Sequence, residues 1–150
     1  MRIRKNKIIW LVILLLVFFL VGCTSRFDVR TDHFILEGES AHWNARLDYS
    51  YKQVFYDNPE TKRLEYESFT WSKLSFCFQG PEEKALDVSW DVKGHTFGES
   101  GSGFELQKGR WAVVSSSTGG KEHILDRSDE LILTVRWEGK VETISLKVKD

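Results

Sequence analysis

Residues 43 to 51 read Trp43-Asn44-Ala45-Arg46-Leu47-Asp48-Tyr49-Ser50-Tyr51. Apolar or aromatic residues hold every odd position and polar ones every even position. That is the period of two of a half-buried strand, whose successive side chains leave opposite faces. Leu86, Val88, Trp90 and Val92 repeat it against Asp87, Ser89, Asp91 and Lys93, and Leu131, Leu133, Val135 and Trp137 repeat it again. Leu74, Phe76 and Phe78 form another apolar row. Helical periodicity is nearly absent beyond residue 32. An apolar face backed by a wet one is the pattern of antiparallel sheets.

Turn chemistry divides the rows. After Trp137 the chain passes Glu138-Gly139 and resumes with Ile144, Leu146 and Val148 at even positions, a hairpin signature in which Gly139 supplies a positive φ. Breakers at Asp57-Asn58-Pro59, at Gly80-Pro81 and across residues 94 to 103 leave room for about seven or eight short strands. The fold expected for residues 33–150 is therefore all-β, an antiparallel immunoglobulin-like β-sandwich. One place breaks phase: Phe69 and Trp71 are odd, whereas Leu64, Tyr66, Leu74, Phe76 and Phe78 are even. Either a bulge resets the strand near Ser72 or Trp71 is exposed. Trp43, Trp90, Trp111 and Trp137 are assigned to the core, which leaves Trp71 as the candidate exposed aromatic, of the kind that stacks on sugar faces.

The N-terminus has a different character. Arg2, Arg4, Lys5 and Lys7 form a basic start, and Ile8 to Gly22 is an unbroken run of 15 apolar residues or Gly. A spanning helix needs about 18 to 20, so the run suits the apolar region of a signal peptide better than a retained membrane helix. Leu20-Val21-Gly22-Cys23 then resembles the lipobox of bacterial lipoprotein precursors. In that family a diacylglyceryl group joins the cysteine thiol and a dedicated peptidase cuts just before it. The resemblance implies a lipoprotein signal peptide at residues 1–22, recognised through Leu20, Val21 and Gly22, and a lipidated tether at residues 23–32 beginning with Cys23. Two acyl chains hold a protein to a bilayer durably where one does so only marginally.

Removing residues 1–22 takes four of the 21 basic residues and leaves 17 against 22 acidic ones, a net charge of −5 with His neutral. Such a body is repelled by an anionic membrane, so attachment falls to the lipid. Basic and acidic residues are interleaved throughout, without the basic stripe that nucleic acid requires. With Cys23 committed to lipid, Cys77 has no disulfide partner and reads as packing within Ser75-Phe76-Cys77-Phe78.

Candidate chemistry is sparse. His33, His42, His95 and His123 are too dispersed for a recognisable metal motif, and no cofactor is implied. The Gly-rich segment 94 to 103 is the candidate binding loop, with His95, Phe97, Ser100 and Ser102 as its side chains. It lacks the Lys-Ser or Lys-Thr of a phosphate loop. Ser115 to Gly120 reads as a flexible polar loop. Gly38-Glu39-Ser40 before Trp43, the Gly-rich segment and the Leu131 to Leu146 hairpin resemble small lipoproteins of bacilli with a compact immunoglobulin-like domain. That resemblance implies a monoderm membrane surface and brings no catalytic residue or ligand. The functional expectation is a non-catalytic binding or structural module, lipid-anchored on the extracytoplasmic face of the cell membrane. Its partner would be an envelope protein or polysaccharide. The alternative is an envelope-acting hydrolase or metal-dependent enzyme with a site in the loops around residues 94–123.

Overall fold

The computed structural model describes residues 28–120 and 123–149. Leu20, Val21, Gly22 and Cys23, with the rest of the signal segment and the start of the tether, lie outside the described residues. Eight strands follow in order: β1 (Asp28–Glu39), β2 (Trp43–Asn58), β3 (Arg63–Phe78), β4 (Lys84–Lys93), β5 (Gly98–Gln107), β6 (Trp111–Gly120), β7 (Leu131–Trp137) and β8 (Lys140–Val148). All pairings are antiparallel, in one sheet ordered β5-β4-β7-β8-β1-β2-β3-β6. β8 joins the two halves: Lys140 to Leu146 pair with β7, and Lys147 and Val148 pair with Glu37 and Leu36 of β1. The end strands β5 and β6 curl round to face each other, so the sheet is nearly closed and barrel-like.

The core follows the period-two reading. Trp43, Ala45, Leu47 and Tyr49 are buried, as are Leu74, Phe76, Phe78, Leu131, Leu133, Val135, Trp137, Ile144 and Leu146. Trp43 is central, with ring centroids 5.1 Å from Phe78, 5.3 Å from Trp137 and 6.1 Å from Phe76. Each fully buried aliphatic side chain contributes about 1.5–3 kcal/mol of transfer free energy. Glu138 and Gly139 both take positive φ, 46° and 75°, as a two-residue hairpin turn matched to strand twist requires.

Several expectations need correction. Residues 28 to 32 are strand rather than tether: Asp28 pairs with Phe55 and Asp32 with Tyr51, and backbone pairing there compensates for the missing apolar row. Ala85, not Leu86, faces the core, because the β4–β5 register shifts between Ala85 and Val88, beside Asp87 at φ 52°. The Gly-rich segment is a loop only up to Phe97, and Gly98 onward is β5. Ser115 to Gly120 is likewise strand, held by pairing with β3. No bulge occurs along β2–β3, so Trp71 stays in phase and exposed. Trp111 is 52 % exposed rather than buried, since Ala112 and Val114 take the inward positions of β6.

β2 and β3 are the longest strands, at 16 residues each. β6 pairs with β3 only from Ser68 onward, and β1 meets β8 only at Leu36 and Glu37. Beyond those points the first part of β1 and the ends of β2 and β3 stand as a three-stranded arm, closed by the turn at residues 59 to 62.

Candidate functional site

The inner face of the sheet changes character along its length. Ala112, Phe76 and Ala45 face inward in one paired row, and Val114, Leu74, Leu47 and Leu36 in the next. One row further toward the arm, Ser116, Ser72 and Tyr49 occupy the same face, followed by Thr118, Thr70 and Tyr51. Here β5 and β6 leave a cleft of about 260 Å³ lined by Tyr49, Thr70, Ser72, Phe97, Glu99 and His123, among others. Phe97 meets the Tyr49 ring edge to face at 6.3 Å.

Glu99 enters this cleft because its strand partner is Val92, an inward position of β4. Ser72 Oγ donates to Glu99 Oε1 at 2.6 Å, and Ser116 Oγ donates to the same oxygen. The two hydroxyls also touch at 2.7 Å. A carboxylate and two hydroxyls bring two protons to these three contacts, so the cluster is short of donors. One row away, Thr70 and Thr118 share a hydroxyl contact of 2.7 Å. The arrangement suits a ligand that donates hydrogen bonds and is neutral or cationic, because an anion would meet the Glu99 carboxylate.

The surrounding frame is fixed. Gly101 follows Glu99 on the inner face and leaves room for Trp90, whose Nε1 would lie 2.8 Å from a Cβ at that position. Tyr49 accepts a hydrogen bond from the Leu125 amide at 3.2 Å. Arg127 makes a two-pronged bond to Asp32 at 2.8 and 2.6 Å, donates to the His33 carbonyl at 3.0 Å and lies over the Phe34 ring. The Arg127 guanidinium holds the Asp32 carboxyl down at about 2. The segment from His123 to Glu130 is thereby pinned across the foot of the arm.

Of the four candidate loop residues, only Phe97 lines the cleft. His95 is exposed and apart from it, and Ser100 and Ser102 point outward beside Asp91 and Ser89. Trp71 is exposed on the outer face together with Phe69, whose ring lies against Gly119. Glu99, Ser72 and Ser116 escaped sequence reading, although the odd phase of Glu99 and Gly101 would have marked them once β5 was recognised as a strand.

A second polar cluster sits at the opposite end of the sheet. Glu142 accepts from Ser40 Oγ at 2.6 Å, from the His42 amide at 3.1 Å and from His42 Nδ1. Burial raises the Glu142 carboxyl, but the bonds from Ser40 and His42 outweigh it and leave the group below its usual range. The residue types are those of an acyl-transfer triad, but serine and histidine both bond to the carboxylate, which is not the relay order. The cluster clasps the β1–β2 turn to β8, with His42 against Trp137 at 5.9 Å.

Cys77 is buried, and burial pushes its thiol up despite the Gln79 amide donating to Sγ at 3.0 Å. Among the described residues, no group of three or more His, Cys, Asp or Glu is placed to hold a metal ion. No family model matches the chain, and comparison with curated proteins and with solved structures returns no significant similarity.

Proposed function

We propose that this chain is an exported lipoprotein, anchored through Cys23 to the extracytoplasmic face of the cell membrane, whose β-domain binds an envelope polysaccharide in the cleft between β5 and β6. The observation that carries the binding role is the acceptor-rich cluster of Glu99, Ser72 and Ser116, set where the inner face turns from apolar to polar. Sugars supply hydroxyl donors, and amino sugars add a cationic one, so glycans with free hydroxyl or amino groups match it best. The half-exposed Trp71 and the neighbouring Phe69 offer a second, stacking surface on the outer face of the same strand. An immunoglobulin-like affiliation belongs to this proposal too: the two halves pack across Trp43, Phe76, Trp90 and Trp137, as the layers of a sandwich do.

The test is titration calorimetry with glucosamine oligomers and N-acetylglucosamine oligomers. Binding should weaken about tenfold or more in Glu99→Gln, the worth of one charge-assisted hydrogen bond. Failure of both oligomers to bind, or equal binding by that variant, overturns the cleft reading. Mass spectrometry of protein extracted from membranes tests the anchor: a polypeptide beginning at Cys23 and carrying acyl chains is expected. A soluble chain beginning at Met1 refutes it.

A further inference from the structure

Beyond Phe34 and Tyr51, which pack into the core at its foot, the arm stands clear of the core yet carries exposed apolar side chains. Leu64 is 66 % exposed and Val29 50 %. Phe55 and Tyr66 meet at a tilt with centroids 6.0 Å apart and the Arg30 guanidinium 4.9 Å above the Phe55 ring, while the half-buried Tyr56 lies with Val29 on the opposite face of the arm. Lys62 and Arg63 flank the turn at the tip. Around the turn Lys62 and Arg63 stand among Asp57, Glu60 and Glu65, so the tip is slightly acidic like the rest of the domain and any contact with a bilayer falls to the apolar side chains.

The path of the chain says what this tip faces. β1 begins at Asp28 opposite Phe55, three residues from the end of β2 and hence about 10 Å from the tip at 3.3 Å per residue. From Cys23 to Asp28 is five residue steps, a reach of about 17 Å at full extension. A lipid on Cys23 therefore keeps the arm tip within reach of the headgroup layer. The cleft, near Thr70, lies about 25 Å up the arm.

We propose that the tip of the β2–β3 arm seats in the interfacial layer of the same leaflet that holds the Cys23 lipid. Leu64, Val29 and Tyr56 enter the headgroup and acyl boundary, and Lys62 and Arg63 reach back to phosphates. The domain then stands upright, its acidic body held off the surface and its cleft at a fixed height. This inference rests on the lipid-anchor reading.

The test uses the full lipidated protein in vesicles of phosphatidylethanolamine and phosphatidylglycerol. An environment-sensitive fluorophore is placed on Leu64→Cys and, separately, on Lys108→Cys at the far end; lipid occupies Cys23 and Cys77 is buried. Expected is a blue shift and quenching by shallow nitroxide lipids for the Leu64→Cys label, with neither for the Lys108→Cys label. Floating vesicles that carry the protein while both labels stay unquenched overturn the docking and leave the anchor intact. Protein that fails to float with vesicles and lacks acyl mass overturns the anchor, and the docking with it. A Leu64→Glu, Val29→Glu variant that remains lipidated should lose the quenching of a label on Tyr56→Cys, whereas retained quenching would also refute the proposal.

Discussion

Replacing Gly101 by Ala tests the frame of the cleft, because this glycine makes room for a buried tryptophan. An ideal Cβ at position 101 would lie 2.8 Å from Trp90 Nε1 and 3.0 and 3.1 Å from Cε2 and Cζ2. Ordinary contact begins near 3.4 Å, so the indole must retreat by about 0.6 Å. It has little space to do so, being 3 % exposed and 6.0 Å from the Phe76 ring. Overpacking of this kind costs about 1–3 kcal/mol. Loss of unfolded-chain entropy on replacing Gly offsets roughly 0.4–1 kcal/mol of that. The expected net loss is about 1–2 kcal/mol, a fall in Tm of about 3–8 °C for a domain of this size. Gly98→Ala is the control, since its Cβ would meet only the Val92 carbonyl oxygen at 3.9 Å. Its stability should equal the parent's or exceed it by up to about 1 kcal/mol, from the same entropy term without the clash. Urea unfolding followed by circular dichroism measures both. Equal midpoints for Gly101→Ala and Gly98→Ala would refute the claim that Trp90 occupies that space.

Three further outcomes follow from burial and charge. Trp71→Ala should cost less than about 1 kcal/mol in urea unfolding, whereas Trp137→Ala should cost about 3–5 kcal/mol, and similar losses would contradict their assigned faces. The Asp32 carboxyl lies near 2 in the folded protein against 3.8 free, and Glu142 is also held low. A folded value below the unfolded one gives stability that is complete above the unfolded value and lost as pH falls through the folded one. The urea midpoint should therefore decline between about pH 4.5 and pH 2, less steeply in Asp32→Asn, and a midpoint flat over that window would be inconsistent with both bonds. Cys77 should react with a small alkylating reagent only at the rate of unfolding, since its thiol is buried and shifted upward, and fast labelling of the native protein would count against this.

The strands that build the core were legible because their inner positions are apolar: Trp43 to Tyr49, Leu74 to Phe78, Leu131 to Trp137, and the return through Ile144 and Leu146. The Glu138-Gly139 turn was legible for the same local reason, two residues able to take positive φ between matched rows. β5 and β6 were not legible, because near the cleft their inner faces carry Glu99, Gly101, Ser116 and Thr118 instead of apolar residues. Their strand state comes from pairing with β4 and β3, a tertiary effect that period-two counting does not see. The same blindness hid the site, since the residues that set it apart are those that erase the strand signal. Trp111 was misassigned because an aromatic at a strand start carries no parity until its neighbours Ala112 and Val114 are known to point inward. The clasp of Ser40 and His42 on Glu142 joins residues 100 or more apart in sequence, and neither local stretch advertises it.

Glu99 has a further consequence, for how copies of this chain meet when crowded. At high local concentration an unpaired strand invites a neighbour to extend it into a growing ribbon. Glu99 ties β5 to β6 through Ser116, which fixes the two terminal strands relative to each other at that row. Intermolecular zippering at that seam would first have to break the bonds that shape the cleft.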